Sequence, residues 1–230
     1  MSSPEHGSKS ARLANGMFSG DQRMTAPVLR LQRGTPIDVD AMVKVHMDAF
    51  KGFFLTSLGP RFLRELYLDF VDGPETVCLT AYDEDGLCGF VVGPTAPRHF
   101  FRNLLARRGF LFCLWAVPAL LRHPSVVAKR LFGAVFYRGT EPEQLQGGAL
   151  LSSLAVTPRC AGKGVGSRLV KEFVQETMVR GARFVYLITD RDGNDAVNRF
   201  YVGAGFQLET SFQVRGRWMN RYVKFPEARA

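Results

Sequence analysis

The stretch Leu150–Val170, LLSSLAVTPRCAGKGVGSRLV, carries the clearest chemistry in the chain. An apolar run ends at Thr157-Pro158. A glycine-rich turn through Arg159, Cys160, Ala161, Gly162, Lys163, Gly164, Val165 and Gly166 then opens a helical pattern. A strand that feeds a helix through glycines leaves the first-turn N–H groups without carbonyl partners and aimed at one point. The positive end of the helix dipole lies there too, so the turn makes an anion site of the kind that holds a pyrophosphate. Arg159 and Lys163 add charge, and Ser167 adds a hydroxyl. Glycine suits positions 162 and 164 because a Cβ would block backbone approach or the dihedrals the turn requires. Such turns occur in many unrelated loops, so this one takes its meaning from its surroundings.

Two elements must position the turn: a strand that delivers it, Ala149–Val156, and a helix that receives it. After the helix come a second strand-like run, Phe184–Thr189, and the segment NDAVNRFYVGAGF from Asn194 to Phe206. This succession resembles the GNAT family of acyl-CoA-dependent N-acyltransferases. In that family a strand ends in a Val-x-Pro-like step, and an Arg/Gln-x-x-Gly-x-Gly/Ala turn cradles the pyrophosphate of coenzyme A. An Asn and a Tyr-x-x-x-Gly-Phe follow. The matching positions are Val156, Pro158, Arg159, Gly162, Gly164, Asn194, Tyr201, Gly205 and Phe206. Family members often carry Ala three residues after the Asn, where this chain has Val197, a packing change.

Acyl transfer from a thioester to an amine needs a neutral amine, a stabilised oxyanion and a protonated leaving thiolate. An alkylamine with a pKa near ~10.4 is mostly protonated at neutral pH, so an enzyme supplies desolvation or a base. The resemblance implies acetyl-CoA as co-substrate, no metal, and Tyr201 as the acid that protonates the thiolate. It implies that Asn194 orients the pantetheine arm, from a position that also suits a helix N-cap. The backbone of Leu154, Ala155 and Val156 is expected to pair with pantetheine like a neighbouring strand, with the Val156 N–H facing the oxyanion. Many relatives place a general base, Glu, on the central strand, where this chain offers Ser152 and Ser153. His46 and Asp48, on the first helix, are candidates by location, and a water chain is the alternative. The loop Phe53–Leu58 borders the acceptor site in the family, so Phe53, Phe54 and Ser152 are expected to touch the acceptor.

The remaining pattern supplies the frame. Leu29–Arg33 reads as a strand, and Thr35-Pro36 begins a helix with Thr35 as N-cap and Pro36 at N1. A second helix after Gly59-Pro60 carries Phe62, Leu63, Leu66, Tyr67 and Phe70 at three-and-four spacing and stops at Gly73-Pro74. Val77–Tyr82 and Leu87–Val92 form a hairpin around Asp83-Glu84-Asp85-Gly86, and 206–214 and 218–225 form a closing pair of strands. The expected fold class is α/β (α+β): a GNAT fold with a central mixed, mostly antiparallel sheet flanked by helices. Residues 27–226 make the domain, with a helical insertion at 97–146 before the central strand. Residues 1–26 are polar, lack an apolar signal core and read as a disordered tail.

With 230 residues and 46% apolar side chains, the chain suits one domain with a sizeable core. Its four cysteines show no C-x-x-C spacing and read as reduced thiols of a cytoplasmic, bacterial protein without a metal site. The net charge of +9 is concentrated between Arg98 and Arg138, where eight cations stand with no carboxylate. The apolar run Gly109–Leu121 inside that segment, broken by Pro118, is too short to span a bilayer. Three readings stay open for residues 98–138: helices packed on the domain with solvated arginines, a contact with the inner membrane surface, or binding to an acidic polymer. Its aromatics favour the membrane over nucleic acid. The same apolar surface would serve a homodimer equally well. The block from His46 to Leu63 resembles bacterial GNAT proteins associated with surface-polysaccharide synthesis, which implies an amino sugar as the small-molecule amine acceptor. A protein or peptide acceptor, a longer acyl donor and a non-catalytic CoA sensor are the alternatives.

Overall fold

The computed structural model describes residues 29–122, 143–214 and 216–226. The tail expected at 1–26 and part of the insertion, 123–142, lie outside the described residues. Two four-stranded sheets form the frame. One has the order β1 (Arg30–Arg33), β2 (Thr76–Asp83), β3 (Gly86–Pro94), β5 (Ser153–Val156), all antiparallel. The other has the order β4 (Gly148–Leu150), β6 (Phe184–Asp190), β8 (Arg217–Lys224), β7 (Gln207–Val214), with β4 and β6 parallel.

Helices α1 (Val39–Ala49), α3 (Pro60–Asp72) and α4 (Pro97–Arg122) cover one face, and α5 (Val165–Val179) covers the other. The short α2 (Phe54–Ser57) links α1 to α3, and α6 (Asp195–Gly203) joins β6 to β7. The apolar stripe of α3 is buried as its spacing requires: Phe62, Leu63, Leu66, Tyr67 and Phe70 pack among α1, α4, Phe90 and Phe100. Each such side chain contributes roughly 2 kcal/mol by leaving water. Before α1, Thr35 donates its backbone N–H and its hydroxyl to buried Asp38 (2.7 and 2.8 Å), and Pro36 opens a short 3-10 turn.

Four departures from the sequence expectations matter for the site. First, the expected single strand Ala149–Val156 is two strands. Leu151 N–H donates to Tyr186 O of β6, and the next amide, Ser152 N–H, donates to Val92 O of β3 (both 2.9 Å). The chain changes partner within one residue, so the sheets separate beyond this point. Gly93 permits it: a Cβ there would stand 1.8 Å from Leu150 O. Second, α4 runs as one helix through Pro118, although proline costs it one N–H bond. Third, Arg107 and Arg108 are tied to the domain as ion-pair partners, although Arg107 stays more than half exposed. Both pair with buried Asp69 of α3, Arg107 at 2.8 Å, and Arg108 also bonds Glu65. Burial raises the Asp69 pKa and the two guanidiniums oppose that rise. Fourth, Cys88 and Cys160 are joined by a disulfide, with Cα atoms 5.6 Å apart, while Cys78 and Cys113 are free. The ladder sets Cys88 against the turn that carries Cys160, a proximity invisible in the sequence spacing. The pairing removes the reduced-thiol basis of the cytoplasmic expectation.

Candidate active site

The turn after β5 has two left-handed glycines and opens directly into the N-terminus of α5. Gly162 and Gly164 adopt φ of 75° and 76°, left-handed values that L side chains rarely take, and neither would meet a neighbour with an added Cβ. The requirement for glycine there is one of dihedrals. Gly164 is the N-cap of α5, and the first backbone bond of the helix runs from Arg168 N–H to Gly164 O at 3.1 Å. The amides of Val165, Gly166 and Ser167 precede that bond, so they and the helix dipole converge on the loop. Ala161, Lys163 and Ser167 are exposed beside them, whereas Cys160 and Val165 point into the core.

The Arg159 side chain departs from its expected role. Its guanidinium donates to Asp83 at 2.6 Å, to Gly86 O at 3.0 Å and to Leu87 O at 3.3 Å. The hydrogen bond from Arg159 holds the Asp83 carboxyl below the usual carboxylate range, and Asp83 in turn raises Arg159. Arg159 staples the start of the loop to the β2–β3 hairpin, together with the disulfide and the Thr157 N–H to Cys88 O bond (2.7 Å). Among the described residues, Lys163 is the other cation of the loop, and it is exposed.

Beyond the split, β5 pairs with β3 alone. The bond from Thr157 N–H to Cys88 O fixes the alternation of this antiparallel ladder. Ala155 therefore spends its N–H and C=O on Phe90, while Leu154 and Val156 present theirs to the open edge. This corrects the expectation for Ala155, whose backbone is committed to the sheet. The open edge is a strand-like docking line, and its last amide, Val156 N–H, lies just before the turn.

A cleft of about 500 Å³ opens where the sheets part. On one side it is lined by Leu154, Asn194, Val197, Phe200 and Tyr201, and on the other by His46, Phe50, Phe53, Phe54 and Ser152. Asn194 occupies the N-cap position of α6 without capping it; its amide donates to Thr189 Oγ1 (2.8 Å) and Asp190 O (3.2 Å). Tyr201 is buried, edge-on to Phe200 and Phe206, and burial pushes its phenol pKa well up, which keeps it protonated. Core packing and proton donation are thus compatible in this one ring. Val197 is partly exposed in the cleft wall, so it shapes the cavity as well as packing. His46 is 3% exposed and lies in the wall opposite Tyr201 and Asn194. Asp48, the other candidate on α1, is exposed and outside the lining.

Sequence reasoning missed the floor of the cleft. Arg217, from the start of β8, pairs with Asp190 at the end of β6 (2.6 Å), and Met219 lies beside them. It also missed Tyr67, whose hydroxyl lies 2.6 Å from His46 Nδ1. Its spacing on α3 is that of a core residue, so no local signal marked it.

Residues 39–206 match the family model described as the Acetyltransferase (GNAT) family. Comparison with curated proteins finds no match. Among solved structures, a ribosomal-protein-alanine N-acetyltransferase from Brucella melitensis is 15% identical, with 86% of this chain and 99% of that chain covered and a TM-score of 0.57. A chimera of the spermidine N-acetyltransferase SpeG from Vibrio cholerae is 14% identical, with 86% and 95% covered and a TM-score of 0.54. The PaiA N-acetyltransferase from Thermoplasma acidophilum, solved with coenzyme A, is 13% identical, with 84% and 97% covered and a TM-score of 0.52.

Proposed function

Since the chain belongs to the GNAT family of acetyltransferases, we propose that it transfers acetyl from acetyl-CoA to a primary amine on a small molecule, by direct attack. The observation that carries this reading is the cleft itself. Its walls bring Tyr201, Asn194 and the free edge of β5 into one space with His46 and three phenylalanines.

The residues fit the donor. The unpaired amides of 165–167 and Lys163 suit the diphosphate, and the free N–H and C=O groups of Leu154 and Val156 suit the two amides of pantetheine. Val156 N–H is placed to stabilise the developing oxyanion. Tyr201, held neutral by burial, gives its proton to the departing thiolate. His46 stands on the acceptor side as the base. Burial lowers its pKa to about 4, so it is neutral at neutral pH and does not repel an incoming cationic amine.

The lining also bears on the acceptor. Among the described residues, Asp190 is the one carboxylate in it and is already held by Arg217, which leaves a polyamine no free counter-charge there. Phe50, Phe53, Phe54 and Phe200 offer ring faces to a sugar or another compact body. An amino sugar satisfies this lining better than a polyamine or an extended peptide. CoA release measured against amino-sugar nucleotides, polyamines, amino acids and peptides tests it. Selective turnover of an amino sugar is expected, and turnover of peptides or polyamines alone would overturn the acceptor class.

A second reading concerns location. On α4, Phe110, Leu114, Val117 and Leu121 are exposed at four-three-four spacing, Phe110 at 81% and Leu121 at 78%. Exposed Arg98 and Arg102 lie on the same helix, which carries no carboxylate. No helix among the described residues is long and apolar enough to cross a membrane. A greasy stripe with cations suits the surface of an anionic bilayer, where an amine on a lipid carrier would be met. Sedimentation with anionic vesicles at low salt tests this; no binding, or a dimer that hides the stripe, excludes it.

A further inference from the structure

The disulfide between Cys88 and Cys160 joins β3 to the turn that leads into the two left-handed glycines. Both cysteines are buried, Cys88 at 2% exposure and Cys160 at 1%. Cys160 O accepts the Lys163 N–H at 3.4 Å, and Gly162 and Gly164 flank that lysine. The position of Cys160 is therefore passed on to the loop whose amides and Lys163 suit the diphosphate.

The bond also faces a carboxylate. Asp83 Oδ2 lies 3.1 Å from Cys88 Sγ and 3.6 Å from Cys160 Sγ. Disulfide sulfurs have no hydrogen to give, so the carboxylate gains nothing from them. In the dithiol each S–H can donate to that oxygen, and a charged acceptor makes such bonds stronger. The hydrogen bond from Arg159 keeps Asp83 ionised, hence an acceptor. Asp83 thus favours the reduced pair, which moves this bond toward the labile and regulatory class. The same Oδ2 accepts from Arg159 Nη1 at 2.6 Å. Reduction removes the covalent tie and brings two new donors to compete with Arg159 for one oxygen. Two holds on the turn weaken together, leaving the bond from Thr157 N–H to Cys88 O.

We propose that Cys88 and Cys160 form a redox switch on the donor site. The disulfide holds the turn in its CoA-binding form, and the dithiol loosens it. This rests on the donor half of the reading given above and is independent of the acceptor. A dithiol reductant supplies two electrons and two protons. One of its thiolates attacks a sulfur of the pair to give a mixed disulfide, and its second thiolate then displaces the cysteine. Two S–H groups replace the S–S bond, and the reductant leaves as a disulfide. Arg159, Ala161 and Lys163 are exposed around Cys160, so a reductant reaches the buried sulfurs when this surface turn lifts. CoA bound across the turn opposes that lifting, and the effect is reciprocal. A loss of about tenfold in CoA affinity on reduction corresponds to CoA lowering the reduction potential of the pair by about 30 mV.

The full chain equilibrated with oxidised or reduced dithiothreitol tests this. Thiol trapping with peptide mapping is expected to find Cys88 linked to Cys160 in the oxidised form; finding both free overturns the proposal. Calorimetric titration is expected to give a Kd for CoA about tenfold weaker in the reduced form. The double substitution Cys88→Ser and Cys160→Ser is expected to bind CoA like the reduced wild type, whatever the reductant. A response to reductant in that variant assigns the effect to Cys78 or Cys113 and overturns the proposal. Circular dichroism is expected to show both wild-type forms folded; a reduced chain that unfolds outright makes the bond a structural staple and overturns the switch. Equal CoA affinity in the two wild-type forms overturns the switch and leaves the donor reading standing. CoA binding to neither form overturns both.

Discussion

The turn after β5 and the cleft beside it share a strand but present different atoms to the ligands proposed for them. The turn offers main chain: the amides of 165–167 at the head of α5 and the free groups of Leu154 and Val156. The acceptor wall offers side chains drawn from α1, α2, β5, β6 and β8. Main-chain recognition depends on dihedrals and element ends, which a few neighbouring residues fix. Side-chain recognition depends on which distant elements the fold brings together. One half of the site can therefore tolerate many sequences with glycines kept in place, whereas the other changes with each residue in the wall.

Substitutions can break that contrast. The largest effect is expected from Tyr201→Phe, where the two halves meet: kcat falls about 1000-fold, as for loss of a general acid, with acetyl-CoA binding intact. Stopped-flow and steady-state kinetics check it, and near-normal turnover would leave Tyr201 as packing alone. Next comes the pH dependence of stability on the acceptor side. His46 is lowered to about 4 in the fold against an ordinary 6.5, so the unfolded chain binds the extra proton between those values. Stability contributed by neutral His46 is thus full above pH 6.5 and declines by about 3 kcal/mol as pH falls to about 4. Urea unfolding at several pH values would show this slope, and His46→Asn should flatten it.

On the side of the turn, Gly164→Val forces a β-branched residue to a φ of 76°. A loss of about thirtyfold in CoA affinity is expected from about 2 kcal/mol of backbone strain. Calorimetric titration with CoA measures it, and affinity within threefold of wild type would show that main-chain geometry does not carry the site. The smallest effect belongs to Arg159→Ala. Its guanidinium already serves the hairpin, so the KM for acetyl-CoA should rise only about threefold, through a looser loop. A rise of a hundredfold would return Arg159 to the phosphates and blur the contrast.

Much of the frame was legible because it is local. The Asp83–Gly86 turn, the apolar stripe of α3, and the boundaries at Pro60 and Gly73 follow from spacing and from residues that start or stop an element. The division of the central strand was not legible. Leu151 and Ser152 look like ordinary strand residues, and their change of partner depends on Gly93 allowing β3 to reach Leu150. The Arg107 and Arg108 pairs with Asp69, the Cys88–Cys160 bond and the capture of Arg159 by Asp83 were hidden for the same reason. Each joins residues whose proximity no periodicity records.

By itself, the sequence determined the glycine turn proposed for the phosphates, the strand and helix that flank it, and the positions of Tyr201 on the following helix and Asn194 at its N-cap. Those features are properties of short segments, set by glycine dihedrals, helix ends and the period of apolar residues. The tertiary structure alone decided that His46 meets the Tyr67 hydroxyl, that Asp190 is neutralised by Arg217, and that Arg159 faces the hairpin. Hydrogen bonds and ion pairs act only over a few ångströms, so their partners are fixed by packing and not by order along the chain.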